Sequence, residues 1–488
     1  EWLLNPGSRG VLSLKTMAWT RLGLEMTPIT DLIGSGKKQK SMADVSVGEV
    51  AKYAAADADV TLRLKPILEK ELRQRDQWRL FQEIEMPLVP VLADMELTGV
   101  KIDVEYLAEL SRELDQRLQE IVRQIQMLAG YPVNVNSTQQ LSDLLFVQLG
   151  LPCDRLRRTS SGHYSTAAEV LEGLSGEHEV VDLVLEQRQL AKLKSTYVDA
   201  LPALVNPRTG RVHTSYNQTA TVTGRLSSSE PNLQNIPIRT ELGRRVRRAF
   251  VAEEGNVLIG ADYSQVELRI LAHISQDPAL LKAFAEGLDI HASTASLTYG
   301  VPLDGVTPEM RRVSKTVNFA IIYGVSAYGL ARQSDLSQEE AQIFIDAYFR
   351  NYPKVKEYIE CTKAEVARKG YVETLLGRRR FFPELANKGR MSRAQISEAE
   401  RAAINTPIQG TAADIIKIAM IRLHEELRRR NLRTRMILQV HDELVLEGPE
   451  DEAEVVAPLV REVMEGAFAL DAPLKVDLAV DKNWLDLK

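Results

Sequence analysis

Apolar residues recur every three or four positions through most of this chain, the spacing that gathers them on one face of a helix. The clearest cases are 47–72 and 104–130, where VEYLAELSRELDQRLQEIVRQIQMLAG halts at Gly130 just ahead of Pro132, a helix-ending pair. Helical spacing dominates about 80–205 and returns over 280–430. Elsewhere the period changes. ALVNPRTGRVHTSYN (203–217) reads as a hairpin turning at Pro207–Gly210. VLIGAD (257–262) is a short apolar run of the kind that forms a buried strand, and a helical pattern starts straight after it. RMILQVHDELVLEG (435–448) is two strand-like runs flanking His441 and Asp442, a hairpin with an acid at its tip. The chain closes with a helix over 455–470 and a strand over 474–484. Between hairpin and first strand, TATVTGRLSSSEPNLQNIP (219–237) has almost no apolar period, and a polar segment that long inside a compact protein is more often a functional loop than a linker.

One helical segment carries a second pattern. In RRVSKTVNFAIIYG (311–324), Arg311, Lys315, Phe319 and Tyr323 stand four residues apart and share one slowly drifting face. That stripe is about 18 Å long at the helical rise per residue. It is cationic at its N-terminal end and aromatic at its C-terminal end, the polarity of a nucleoside triphosphate. Alone, it reads more readily as a helix with core-facing aromatics and solvated cations.

Composition narrows the setting without choosing the function. With 488 residues the chain has room for two to four domains, and 44% hydrophobic with 26% charged residues is ordinary for a globular protein. No apolar run is long enough for a membrane helix. Two cysteines, Cys153 and Cys361, suit a reducing, cytoplasmic setting. The net charge of −6 argues against nucleic acid until the cations are mapped, since steering depends on the local field. They cluster at Arg155, Arg157 and Arg158, at Arg244, Arg245, Arg247 and Arg248, at Arg378–Arg380 and at Arg428–Arg430.

Asp262 ends one predicted strand and Asp442 sits between two others. If these strands share a sheet, two carboxylates meet at its edge, and burying them together is unfavourable without a cation. Oxygen donors of this kind suit Mg²⁺, and two such ions would clamp the attacking and leaving oxygens of a phosphoryl transfer. Glu443 is placed as an outer ligand.

DYSQVELR (262–269), RRVSKTVNFAIIYG (311–324) and QVHDELVLE (439–447) resemble the three polymerase motifs of bacterial family A DNA polymerases, and TATVTGRLSSSEPNLQNIP and NTPIQGTAAD (405–414) match two further segments in order. The resemblance implies an α+β, right-hand fold: a thumb over 79–220, a palm with an antiparallel sheet from 221–280 and 431–488, and helical fingers over 281–430. It also implies the activity, template-directed DNA synthesis from dNTPs on a primer–template, by a monomer. Asp262, Asp442 and the Tyr263 carbonyl are expected to hold two Mg²⁺ ions, which Mn²⁺ can replace. Arg311, Lys315 and His291 match phosphate-contacting positions, with Lys315 also a proton donor to pyrophosphate. Tyr323 is expected beside the templating base. Glu267 matches a steric gate against the ribose 2′-hydroxyl, and Phe319 packs on the incoming sugar and base, where Phe in place of Tyr predicts poor use of dideoxynucleotides.

The minor groove offers acceptors common to every Watson–Crick pair, so donors there check shape and not identity. Arg225, Asn232, Asn235, Gln265, Gln409 and His441 fall on family positions near the primer terminus or template. Lys192, Lys194 and the basic clusters are expected on DNA phosphates. Residues 1–78 resemble the end of a 3′→5′ exonuclease domain, with Tyr53 and Asp57 in its third motif. One acid cannot hold two metals, so no proofreading is expected. Residues 386–395 read as a loop slightly longer than in some relatives.

Overall fold

Strand β3 (Asn256–Tyr263) is apolar at nearly every position because both of its faces are covered. In the computed structural model, which describes all residues except Arg9, Asp154, Arg155, Arg239, Gln333, Asp335 and Lys488, it lies inside a four-stranded antiparallel sheet whose order is β6 (Arg435–Val440), β7 (Glu443–Pro449), β3 and β8 (Val476–Asp481). Two short strands precede it, β1 (Ser215–Asn217) and β2 (Ser227–Ser229), and two more follow, β4 (Tyr371–Glu373) and β5 (Arg379–Phe381). Side chains alternate across the central sheet. Val257, Ile259, Ala261 and Tyr263 enter one core with Leu444, Leu446 and Met436, whereas Leu258 joins a second core with Leu438, Val440, Val445, Trp484 and Leu487. Gly260 faces this second core, where a Cβ would come within 3.0 Å of Leu487.

Helices surround the sheet, and the whole is α+β. The predicted long helices form at Val47–Gln74 and Val104–Ala129. Asp103 caps the second by accepting from the Tyr106 amide at 2.9 Å, and Gly130 ends it in the left-handed conformation that glycine adopts without strain. The predicted C-terminal helix is Ala453–Glu465.

Three expectations change. The hairpin expected over 203–217 is only a turn closed by an Asn206–Arg211 bridge. Beyond it Val212 pairs with Val100, and β1 pairs with β2. Arg211 draws the chain away, donating to the Gly99 carbonyl at 3.1 Å and to Glu447. The 280–430 region is not wholly helical, because β4 and β5 form a ribbon of three residues each, too short to show a period. Residues 386–390 end a 3₁₀ segment, Pro383–Arg390, and 393–395 already belong to the 37-residue helix Arg393–Arg429, so little of that stretch is loop.

The basic clusters also divide, because neighbouring positions on a helix or strand face different ways. Arg155 lies outside the described residues. Arg245 pairs with Glu113, Arg379 with Glu373, and Arg429 and Arg430 with Glu426. Arg378 is buried. It donates through Nη2 to Glu85 and through Nε to Asp414 at 2.8 Å, while Lys417 donates to Glu85 at 2.9 Å and the Thr374 hydroxyl to Asp414 at 2.8 Å. The Trp2 ring lies 5.1 Å from Arg378 and 5.6 Å from Lys417. Burial and the Arg378 charge together lower Lys417 to about 8; Glu85, despite burial, is held at about 2 by Arg378 and Lys417.

Candidate active site

The site forms where β3 ends beside the β6–β7 turn. Asp262 stands directly opposite Glu443 in the register, and the Tyr263 amide donates to the Asp442 carbonyl at 3.1 Å. His441 has a left-handed backbone (φ +55°), which tightens the turn. Gln439 reaches back to the His441 carbonyl (2.5 Å), and Gln234 donates to both oxygens of Gln439. The two acids therefore meet at one sheet edge on a braced turn.

The stripe helix, Pro308–Ile322, opens with Thr307 accepting from the Met310 amide. Its core side is Val313, Val317, Ala320 and Ile321. Arg311, Lys315, Phe319 and Tyr323 lie on the other side and line a pocket of about 820 Å³, together with Asp262, Tyr263, Gln265, Glu267, His291, His441, Asp442, Glu443, Arg225 and Asn235. The two readings of the stripe meet at Phe319, which is half-buried, lines the pocket and also packs against the first core, whereas Arg311, Lys315 and Tyr323 are exposed on the pocket side.

Each stripe residue has a distinct setting. Arg311 Nε donates to Asp289 at 2.7 Å. Asp289 also caps the helix Ile290–Tyr299, accepting from the His291 and Ala292 amides. Burial pushes its carboxyl up, but those amides and Arg311 outweigh it and leave it below the usual range. His291 is buried, and burial above all, reinforced by Lys315 and Arg311, lowers its imidazole to about 4. Asn318 Nδ2 donates to His291 Nδ1 at 2.9 Å, which assigns the remaining ring proton to Nε2. Glu267 is only 5% exposed. Arg225 donates to its Oε1 at 2.6 Å and the Tyr323 hydroxyl to its Oε2 at 3.2 Å. Burial and Glu267 push Tyr323 up to about 12.

A pH dependence follows from His291. Its folded value lies below the ordinary 6.5, so between about 6.5 and 4 the unfolded chain takes up a proton that the folded chain does not. The stability that neutral His291 contributes is whole above that window and is lost as pH falls through it. Urea unfolding at pH 7, 5.5 and 4.5 is expected to show a slope that His291→Gln flattens.

Asn232, Gln409, Lys192 and Lys194 lie apart from the pocket wall. Asn232 accepts from the Gln234 amide at 3.1 Å in a local turn. Gln409 is half-buried on Arg393–Arg429, one turn before Ala413, which lines a small cavity shared with Gln439, His441 and Asp442. Lys192 ends the helix Glu179–Leu193, and Lys194 pairs with Asp115 at 3.1 Å and Asp199 at 2.8 Å. Glu443 and Arg247 both line the pocket; Trp484 Nε1 donates to Glu443 Oε1 at 3.0 Å, and Arg247 Nη1 lies 3.8 Å from Oε2. Sequence assigns no role to Asp289, Asn318 and Gln234, and it sets Arg247 in a cluster expected on DNA phosphates, whereas that side chain is buried. Only Asp289 carried a signal, an Asp just before a helix start, where caps occur.

The fold has close counterparts. The POL domain of Pol1 from M. smegmatis, solved in complex with DNA primer-template and dNTP, superposes with a TM-score of 0.89 at 39% identity, covering 100% of this chain and 81% of that one. The family model for DNA polymerase family A matches residues 104–486. The chain belongs to DNA polymerase family A. It is 52% identical over 477 residues to DNA polymerase I of Chloroflexus aurantiacus, covering 96% of this chain and 50% of that protein. It is 50% identical over 443 residues to the thermostable DNA polymerase I of Thermus aquaticus, covering 90% and 52%. The chain thus spans about half the length of these relatives. Among the described residues no helix is long and apolar enough to cross a membrane.

Proposed function

We propose that this chain catalyses template-directed 5′→3′ DNA synthesis, adding deoxynucleotides from dNTPs to a primer 3′-hydroxyl on a primer–template. The observation that carries the reading is the single pocket joining Asp262 and Asp442 at a sheet edge to the Arg311–Tyr323 stripe and to Glu267. Family A polymerases use divalent metal ions. The donors here fit such ions, being hard carboxylate oxygens of Asp262 and Asp442 with a backbone carbonyl at Tyr263 beside them. Two Mg²⁺ ions held there would supply Lewis acidity to the 3′-hydroxyl and the departing pyrophosphate.

The chain's own groups do the rest. Arg311 and Lys315 receive the triphosphate, and Lys315 passes a proton to pyrophosphate. His291, neutral at working pH, offers its Nε2–H to the same anion. Phe319 covers the nucleoside, Tyr323 lies by the templating base, and Glu267, braced by Arg225 and Tyr323, fills the space of a 2′-hydroxyl. Gln265, Asn232, Asn235, Gln409, His441 and Arg225 read the minor groove, while Lys192 and Lys194 meet DNA phosphates. On this reading the thumb spans 79–220, the palm 221–280 and 431–488, and the fingers 281–430, while the helix bearing Tyr53 and Asp57 contributes no proofreading.

The test is extension of a primed DNA template with dNTPs and Mg²⁺. Efficient extension with NTPs in place of dNTPs would overturn the role of Glu267. Metal-independent DNA binding without extension would point to a silent DNA-binding protein. Phe319→Tyr is expected to raise dideoxynucleotide use on the order of a hundredfold or more, because a hydroxyl on the ring supplies a polar contact that an absent 3′-hydroxyl no longer provides, and polar sites discriminate far more strongly than apolar ones. Competition of ddNTP with dNTP measures it.

A further inference from the structure

Arg247 is a buried cation with only part of its guanidinium hydrogen-bonded. It is 3% exposed, on the helix Glu241–Arg248, with its guanidinium 3.9 Å from the centre of the Trp484 ring. Nη2 donates to the Ile236 carbonyl at 3.1 Å. Among the described residues Nε and Nη1 have no hydrogen-bond partner. Nη1 faces Glu443 Oε2 across 3.8 Å. An arginine kept in this condition carries a standing cost, so its charge is there for something nearby.

Glu443 is that neighbour. Residues directly opposed across antiparallel strands have Cβ atoms roughly 4.5–5.5 Å apart. Glu443 opposes Asp262 and follows Asp442, so its side chain starts within reach of an ion shared by those two. Yet it is 3% exposed, and among the described residues no three His, Cys, Asp or Glu side chains gather as a metal cluster. Its carboxylate accepts the Trp484 indole N–H on Oε1 and faces the Arg247 guanidinium across 3.8 Å on Oε2.

We propose that Arg247 and Trp484 are positioning residues that lock Glu443 out of the metal shell. The acid centre is thereby limited to two carboxylates, it holds a divalent ion weakly by itself, and the incoming triphosphate must complete the shell. The inference rests on the proposed function only in taking Asp262 and Asp442 as ligands.

Mn²⁺ binding to the full chain without nucleotide or DNA, followed by electron paramagnetic resonance of the free ion, tests it. Releasing Glu443 adds a third carboxylate, and because ligand charge count sets affinity, Arg247→Met is expected to bind Mn²⁺ about tenfold tighter. Trp484→Phe, which keeps the ring and removes the N–H, is expected to shift the same way by a smaller factor, and it serves if Arg247→Met folds poorly. Arg247→Met with Glu443→Gln returns to wild-type affinity, and Arg247→Lys stays close to wild type. Unchanged Mn²⁺ affinity in a folded Arg247→Met or Trp484→Phe, or no reversal by Glu443→Gln, overturns the lock. Asp442→Ala separates the two levels: wild-type Mn²⁺ binding in that variant sinks the ligand assignment itself, whereas its loss leaves the lock to be judged by the other variants.

Discussion

Asp442→Ala is expected to lower dNTP incorporation by about a thousandfold or more while leaving the fold intact. The substitution removes a charged oxygen that acts where negative charge develops; even one neutral donor removed from such a place costs on the order of 10²–10³ in rate. A thousandfold corresponds to about 4 kcal/mol of barrier. The turn keeps two braces that the substitution does not remove, the Tyr263 amide on the Asp442 backbone carbonyl and Gln439 on the His441 carbonyl. Single-turnover primer extension gives the rate, and thermal melting gives the control. Extension at the wild-type rate would dismiss Asp442 as a ligand. A rate loss accompanied by a lowered melting temperature would mean that the side chain serves the turn.

The second large effect is on stability. Arg378→Met is expected to destabilise the chain by about 3–5 kcal/mol, the cost of leaving buried charge without its partner. Glu85 and Asp414 would be left with Lys417 as their one buried cation in the network, and burial already pushes the Asp414 carboxyl up. Guanidinium unfolding measures the change. Replacing Arg378, Glu85, Asp414 and Lys417 together by apolar residues of similar volume is expected to cost much less than Arg378→Met alone, since the loss comes from the unpaired remainder. Equal losses would mean that packing against Trp2 dominates.

These cases also mark what sequence could and could not convey. β3, β6 and β7 were legible because buried strands are apolar runs ended by acids and a turn, and no other element type fits their length. The stripe was legible as a pattern, but its orientation was not; Val317 and Ile321 decide it by entering the core. The Arg378 network was hidden, since Glu85 lies 293 positions away and an arginine triplet looks the same whether solvated or buried. Arg247 was hidden likewise, its counterpart Trp484 coming from the last residues of the chain. The 203–217 hairpin failed because turn chemistry at Pro207–Gly210 is local, whereas strand partners are chosen by distant groups, here Gly99 and Glu447 around Arg211.

The contact between Arg311 and Asp289 has a consequence for how a nucleotide is taken in. The receptor arrives already occupied, by a carboxylate of its own chain at 2.7 Å. On the proposed function, capture is then an exchange of one anion for another, and the gain is the difference between them. A ligand with a single phosphate offers Arg311 little that Asp289 does not, whereas a triphosphate brings surplus charge and reaches Lys315 as well. The internal competitor converts a simple attraction for anions into a threshold on how many phosphates the visitor carries.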